Sequence, residues 1–577
     1  MKTALPLSLL LLLAVACQQS EETPGVSRTA EEAVSAPVTF TDVTDSAGID
    51  FVHFNGAYGK TYFPELTGSG GGWLDYDGDG WMDILLVQGK HWPSDPGPDP
   101  TLRLYRNLGD GRFADVTGAA GLDVSVYGMG MSAADVDNDG DTDLLVTCVG
   151  PNRFFENRGG RFVDVTERAG LSGGEWSTSA MFVDYDRDGW LDLYICNYVE
   201  WSEETDLECS LDGETKGYCT PEIYRGEPSK LYRNRGDGTF EDVTRSAGVY
   251  TEDGKSLGVA LLDFNSDGWP DIAVANDTQP DFLFENLGPD DAGAVRFREV
   301  GLASGFALDE SGRARAGMGI DVGIVDETNE ETIFVGNFSN EMIGVYRDLG
   351  NGSYLERAAI SRIGNPSLLY LTFAVFLFDY DLDADLDLFA VNGHVQPGIE
   401  AIQQAVTFRQ SSLLFENVGG GRFAERSASA GEALQRKIVG RGAAHADYDR
   451  DGDPDILIAT NGGPALLLRN DRVTSADGGA PHSVRIRLIG TTVNRDAIGA
   501  TVTVRAGGKT LVQTIKTGST YLSVSELPLT AGTNGADRVD TIRVDWPNGA
   551  REVFENEAAG QSITITEARG ITRREPL

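Results

Sequence analysis

Histidine and positive charge are what this chain has least of. Five histidines, and 47 Lys and Arg against 89 Asp and Glu, leave 577 residues with a net charge of −42. Such a surface offers no basic track for a phosphate backbone, which excludes nucleic acid as a partner. The histidines stand far apart, at His53, His91, His394, His445 and His482. No Gly-x-Ser-x-Gly elbow, His-Glu-x-x-His pair or phosphate-binding loop occurs. The usual sequence marks of nucleophilic, zinc-dependent and nucleotide chemistry are therefore missing. With 41% apolar residues and 71 glycines the composition is that of a folded, turn-rich β protein.

The Leu-rich run within Met1 to Ala16 is too short to span a bilayer and reads as an export signal. Ala14-Val15-Ala16-Cys17 resembles a bacterial lipobox, although that motif more often has Leu where Ala14 stands. The resemblance implies cleavage before Cys17 and its acylation; plain secretion is the alternative. Gln18 carries no aspartate-type retention signal, so the expected address is the outer membrane. Residues 18–37 lack apolar periodicity and are expected to be a tether. Four cysteines remain in an oxidising compartment. Cys209 and Cys219 lie close together in a polar insert and are the favoured bridge; Cys148 and Cys196 either pair or stay as small buried side chains.

What is abundant is one short acidic phrase, written six times. It opens at Asp75, Asp135, Asp184, Asp263, Asp379 and Asp447, and an apolar strand-like run follows each copy. The expected ligand positions are Asp75, Asp77, Asp79, Trp81 and Asp83 in the first loop, then Asp135, Asp137, Asp139, Asp141 and Asp143. The third and fourth loops give Asp184, Asp186, Asp188, Trp190 and Asp192, and Asp263, Asn265, Asp267, Trp269 and Asp271. The last two give Asp379, Asp381, Asp383, Asp385 and Asp387, and Asp447, Asp449, Asp451, Asp453 and Asp455. Carboxylates at positions 1, 3, 5 and 9, with the main-chain carbonyl of position 7, suit a hard cation that takes six to eight oxygens, so Ca²⁺ is the expected ion. An EF-hand would need Glu at position 12, where Leu86, Val146, Ile195, Val274, Ala390 and Ile458 stand instead. Merely acidic turns would explain one copy better than six in matching context.

Around each loop the chain repeats as strand, Asp loop, strand, loop, strand, Gly turn, strand. The second half is typified by Asn107-Leu108-Gly109-Asp110-Gly111-Arg112-Phe113. Spacings of roughly 50 to 80 residues suit four-stranded blades. A degenerate copy between Gly317 and Asn337 puts Ile324, Asp326, Thr328 and Thr332 at ligand positions, too few oxygens for an ion. The expected fold is thus an all-β, seven-bladed propeller over 38–475 with six structural Ca²⁺ sites. The last repeat lacks its fourth strand, while a matching segment, Phe40-Thr41-Asp42-Val43-Thr44, stands alone at the other end. Borrowing it would close the ring without an exposed edge. Residues 480–568 alternate as strands and form a separate small β domain, as in Val484-Arg485-Ile486-Arg487-Leu488.

On these residues the repeats resemble the FG-GAP/VCBS repeats of integrin-type propellers. The chain from about 38 to 566 is similar to the cartilage-acidic-protein-like family that ends in an ASPIC/UnbV domain. The signatures are Tyr218-Cys219-Thr220-Pro221, Asn392-Gly393-His394-Val395, Asn494-Arg495-Asp496-Ala497-Ile498-Gly499, Gly518-Ser519-Thr520-Tyr521-Leu522-Ser523 and Val544-Asp545-Trp546-Pro547-Asn548-Gly549. One departure is Thr530-Ala531-Gly532-Thr533-Asn534-Gly535, where that family has Gly-Leu-Gly.

The second strand of each blade ends on the rim away from the Asp loops, at residues including Asn197, Asn276 and Asn392, and long inserts follow there. A candidate ligand face is therefore Trp92, Asn197, Trp201, Asn276, Asn392 and His394. The expectation is a lipid-anchored, monomeric ectodomain that binds a protein or a glycan. An enzyme acting on polysaccharide or a cell-envelope substrate through the same loops is the alternative, since the paired carboxylates are already spoken for as ligands.

Overall fold

The computed structural model describes residues 38–210, 216–472 and 482–577. Cys17, the expected export segment, the expected tether and residues 473–481 of the polar, Gly-rich stretch 471–481, expected as a linker, lie outside these residues. Among the described residues no helix is long and apolar enough to cross a membrane.

Among the described residues, nine four-stranded sheets hold nearly all the strands, seven in a first domain and two in a second. Each blade is an antiparallel meander, as the alternation of short apolar runs and Gly turns dictates. Blade 1 runs Gly71–Leu74, Asp83–Leu86, Arg103–Asn107, Phe113–Asp115. The inner strands of blades 2 to 7 are Gly128–Ala134, Ser177–Val183, Ser256–Leu262, Gly317–Ile324, Thr372–Phe378 and Gly440–Ala446. Both faces of these strands are covered, so they carry apolar or small residues at almost every position rather than alternating.

Phe40–Asp42 pairs antiparallel with Leu466–Asn470 as the outer strand of blade 7, Phe40 opposite Asn470. Each inner strand packs on the next, and that of blade 7 packs on that of blade 1. A second device joins the blades. An Asn of the third strand donates its side-chain amide to the loop between the first two strands of the preceding blade: Asn157 to Tyr76 O, Asn234 to Val136 O, Asn286 to Tyr185 O, Asn417 to Val325 O and Asn470 to Tyr380 O. Asn107 of blade 1 reaches Tyr448 O of blade 7 in the same way, at 2.9 Å. Blade 5 has Asp348 at this position.

The second domain stacks one sheet ordered Leu529–Gly532, Ser483–Ile489, Gln561–Thr566, Gly570–Pro576 with another ordered Lys509–Thr514, Thr501–Ala506, Arg538–Asp545, Arg551–Ala558. The first sheet extends past residue 568. Between the sheets, a segment around Thr517 to Glu526 leaves this domain and enters the centre of the propeller. Thr520 exchanges main-chain hydrogen bonds with Ile320 of blade 5, Met131 of blade 2 donates to Leu522, and Trp73 of blade 1 donates to Val524. Leu522 N reaches Ser179 Oγ of blade 3, and Thr520 Oγ1 reaches Ala443 O of blade 7. Close approach explains the glycines of the inner strands: a Cβ on Gly70 would lie 2.0 Å from Leu522 O. The opposite mouth is filled by residues 62–69, with the 3₁₀ turn Phe63–Leu66. The two plugs meet where Tyr521 OH donates to Thr67 O at 3.0 Å.

Candidate metal centres and opposite face

Each Asp loop turns between the first two strands of its blade, and its backbone is shaped by its own carboxylates. Asp75 Oδ2 accepts Gly80 N at 3.0 Å, and Asp83 Oδ2 accepts Tyr76 N at 3.1 Å. Asp83 Oδ1 accepts Asn107 N at 2.8 Å, fastening the loop to the third strand. The same bonds recur with Gly140 and Asn157 in blade 2 and with Gly189 and Asn234 in blade 3. Left-handed residues at position 4, such as Gly78 and Asn138, make the turn tight.

This geometry brings positions 1, 3 and 9 together. In five loops, Asp75/Asp77/Asp83, Asp135/Asp137/Asp143, Asp184/Asp186/Asp192, Asp379/Asp381/Asp387 and Asp447/Asp449/Asp455, one oxygen of each residue lies within 4.8 Å of the others. Blade 4 has the same backbone, but Asn265 leaves it two carboxylates and an amide in place of three carboxylates. Position 5 lies outside these triads: Asp79 accepts Trp81 N and Arg106, and Asp188 accepts Trp190 N and Arg233.

A cation fits these triads on two counts. Buried carboxylate oxygens at them, among them Asp75 Oδ1, Asp77 Oδ1, Asp186 Oδ1, Asp379 Oδ1 and Asp447 Oδ2, accept no hydrogen bond, a costly state unless something positive faces them. Burial pushes Asp83, Asp143 and Asp271 up to about 8, against the pull of the backbone donors. The donor set is all oxygen, which suits Ca²⁺ and disfavours softer metals. In blade 5, where the sequence leaves one carboxylate, Arg347 lies 2.6 Å from Asp326, as Arg106 lies 2.7 Å from Asp77 in blade 1 and Arg233 2.8 Å from Asp186 in blade 3.

The second domain sits on this rim. Arg487 lies 3.9 Å from Asp75, Arg495 3.5 Å from Asp135, and Lys509 2.8 Å from Asp385. Asp496 accepts Asp135 N, and Glu526, paired with the buried Arg485, accepts Asp447 N.

On the opposite rim the structure brings some of the expected face residues together and buries others. Trp92 and Trp201 meet at 5.1 Å, with Tyr62 at 5.6 and 5.7 Å from them and Tyr127 stacked on Trp92 at 4.2 Å. Trp201 is partly exposed and Trp92 is buried. Asn197, Asn276 and Asn392 are buried and spent internally: each accepts a Ser or Thr hydroxyl of its inner strand and donates to a loop carbonyl. They brace the rim loops and do not project from them. His394 is also buried, packs on Phe338 at 5.3 Å, and is held neutral by burial and Arg441, its pKa lowered to about 4. The Cys209–Cys219 disulfide is formed, next to Tyr218, and Cys148 and Cys196 are separate buried thiols.

Glu65, in the upper plug, escaped the sequence reading. Its carboxylate is 1% exposed, accepts Tyr218 OH at 2.9 Å, and leaves Oε1 without a partner. Burial pushes it up to about 7. Tyr218 belongs to a noted signature, but nothing local ties it to Glu65, 153 residues away.

Residues 490–572 match the ASPIC and UnbV family model. The FG-GAP-like repeat model matches residues 75–146, 138–195 and 221–274, and the FG-GAP repeat model matches 257–297. Human cartilage acidic protein 1 is 24% identical over 350 residues, 59% of this chain and 40% of that protein. The Xenopus tropicalis cartilage acidic protein 1 is 44% identical over 73 residues, 13% of this chain and 11% of its own. The matches thus span well under two thirds of these relatives. Among solved structures, an Agrocybe aegerita lectin that recognises non-reducing terminal N-acetylglucosamine aligns over 69% of this chain and 87% of its own, at 14% identity and a TM-score of 0.37. The exotype rhamnogalacturonan lyase YesX aligns over 84% and 80%, at 13% identity and a TM-score of 0.32. The fold itself rests on the strand pairing above.

Proposed function

We propose that this chain, an FG-GAP-repeat protein with a C-terminal ASPIC/UnbV domain, is a calcium-stabilised extracytoplasmic binding module for a protein or a glycan. One observation carries the reading: the candidate metal loops share one rim, and the chain's own second domain engages those of blades 1, 2, 6 and 7 there, so the rim that faces a partner is the other one. That rim carries the long inserts and the cluster around Trp201, where aromatic rings give apolar area at small entropic cost. The ions are structural, because each triad of buried carboxylates repels itself until a cation binds the folded state. Cys17 acylation would hold the ectodomain to a membrane as a monomer.

The test is a calcium titration followed by a glycan and protein screen on the calcium-loaded chain. Strong chelation is expected to lower the unfolding midpoint, each site contributing about 2.7 kcal/mol when the ion stands at a hundred times its Kd. A midpoint indifferent to chelation refutes the structural ions, and binding that survives Trp201→Ala with Tyr58→Ala, the latter a partly buried ring 5.9 Å from Tyr62, refutes the face. The second reading, an enzyme acting on polysaccharide or envelope material across the same loops, is favoured by Glu65 alone, a buried carboxylate that accepts Tyr218 OH, has Oε1 unpartnered and is pushed up to about 7. Product release that depends on Glu65 would decide for it.

A further inference from the structure

Blade 6 carries the metal loop least able to hold its own shape. Five of the six loops have Gly at position 6; this one has Ala384 there and Leu382 at position 4. Both are left-handed, with φ of 68° and 58°, a conformation that costs an L side chain about 1–2 kcal/mol. Yet all three members of its triad are buried, Asp379 at 2%, Asp381 at 1% and Asp387 at 0% exposure, and no other triad is buried throughout.

What compensates comes from the second domain. Gly532 N donates to Asp379 Oδ2 at 2.8 Å, and Asn534 N donates to Leu382 O at 3.1 Å. Lys509 Nζ lies 2.8 Å from Asp385 and 3.5 Å from Asp383, taking up the outer pair of carboxylates. Gly532 is a fitted residue: a Cβ there would stand 2.3 Å from the carbonyl carbon and oxygen of Leu382. With Oδ2 fixed by Gly532, the buried Oδ1 of Asp379 is left with no partner of its own. Gly532 and Asn534 fall in the stretch that departs from the family pattern.

We propose that the blade 6 loop is an interdomain metal site, shaped by the C-terminal domain, so that binding of a divalent cation there and docking of residues 529–535 stabilise each other. Gly532 and Asn534 act as positioning residues, holding the loop and orienting Asp379 as outer-shell partners orient metal ligands elsewhere. Linkage then makes the effect reciprocal. The inference rests on the calcium reading of the loops.

The experiment is a Ca²⁺ titration by calorimetry on the full chain and on Gly532→Ala. It is joined by amide hydrogen exchange over 529–535 in the wild type and in Asp381→Asn, with and without Ca²⁺. One site in Gly532→Ala is expected to weaken ten- to a hundredfold while the others keep wild-type affinity. Exchange over 529–535 is expected to slow with Ca²⁺ in the wild type and not in Asp381→Asn. No Ca²⁺ at any loop overturns the calcium reading itself. Ca²⁺ bound normally, with Gly532→Ala like the wild type or exchange over 529–535 indifferent to the ion, overturns this inference alone. Should Gly532→Ala fail to fold, the wild-type and Asp381→Asn exchange decides.

Discussion

If the segment through the propeller centre is part of the ring's core, removing its largest side chain should loosen blades far from it in sequence. Tyr521 is fully buried, its ring 5.0 Å from that of Phe373 in blade 6 and its hydroxyl on Thr67 O. Tyr521→Phe removes only the hydroxyl and is expected to cost about 1–3 kcal/mol, the penalty for stranding a buried acceptor. Tyr521→Ala also empties the space between inner strands, and buried aromatic truncations cost about 3–5 kcal/mol. At about 1.4 kcal/mol per decade, that raises the opening constant roughly two to three and a half orders of magnitude. Amide exchange read on Ser177–Val183 and Gly440–Ala446, inner strands of blades 3 and 7, provides the assay, with Ca²⁺ saturating in every sample. Both strands should lose protection in Tyr521→Ala. Protection lost only within 483–576, with the inner strands unchanged, would show that the domain is an independent appendage and the plug a passive filler.

Two further outcomes follow from particular groups. Glu65 has a folded pKa near 7 against 4.5 when free, so its protonated form favours the fold. Its contribution is full below 4.5 and is lost as pH rises through 7; Glu65→Gln should flatten urea midpoints across that window, and an unchanged slope refutes the assignment. Cys209→Ser with Cys219→Ser should cost up to about 3 kcal/mol, as for closure of a short loop, and open 198–228 to limited proteolysis while the blades stay intact; resistance equal to the wild type argues against the bridge as the insert's brace.

Much of the ring could be read from the chain because its rules are local. Asp at odd positions and Gly at the turns build each loop from its own nine residues, and Phe40-Thr41-Asp42 could be matched to the strand that blade 7 lacks because the repeat spells it elsewhere. The degenerate loop was legible too, as missing oxygens at Ile324 and Thr332, and Arg347 on Asp326 repeats the pairing that Arg106 and Arg233 make at the same strand position in blades 1 and 3. The rim asparagines were misleading in kind: Asn197, Asn276 and Asn392 end their strands as expected, and side-chain satisfaction turned them inward. Tyr521 and Leu522 sit in a recognisable motif of the second domain. Their passage between seven blades is written only in the small residues of distant strands, Gly70, Gly130 and Gly319, whose meaning depends on a partner hundreds of positions away.

The borrowed outer strand sets an order of events. Phe40–Asp42 stands before the other strands of the ring in the chain, yet the strand it pairs with, Leu466–Asn470, is the last of them. Six blades can therefore complete their own sheets while the seventh waits, and its closure is the slow, long-range step expected of a non-local topology. Until then the molecule carries an unpaired sheet edge at one end and a loose matching strand at the other. Two copies arrested at that stage hold what they need to complete each other's last blade, so crowding would convert a delay in closure into exchanged dimers.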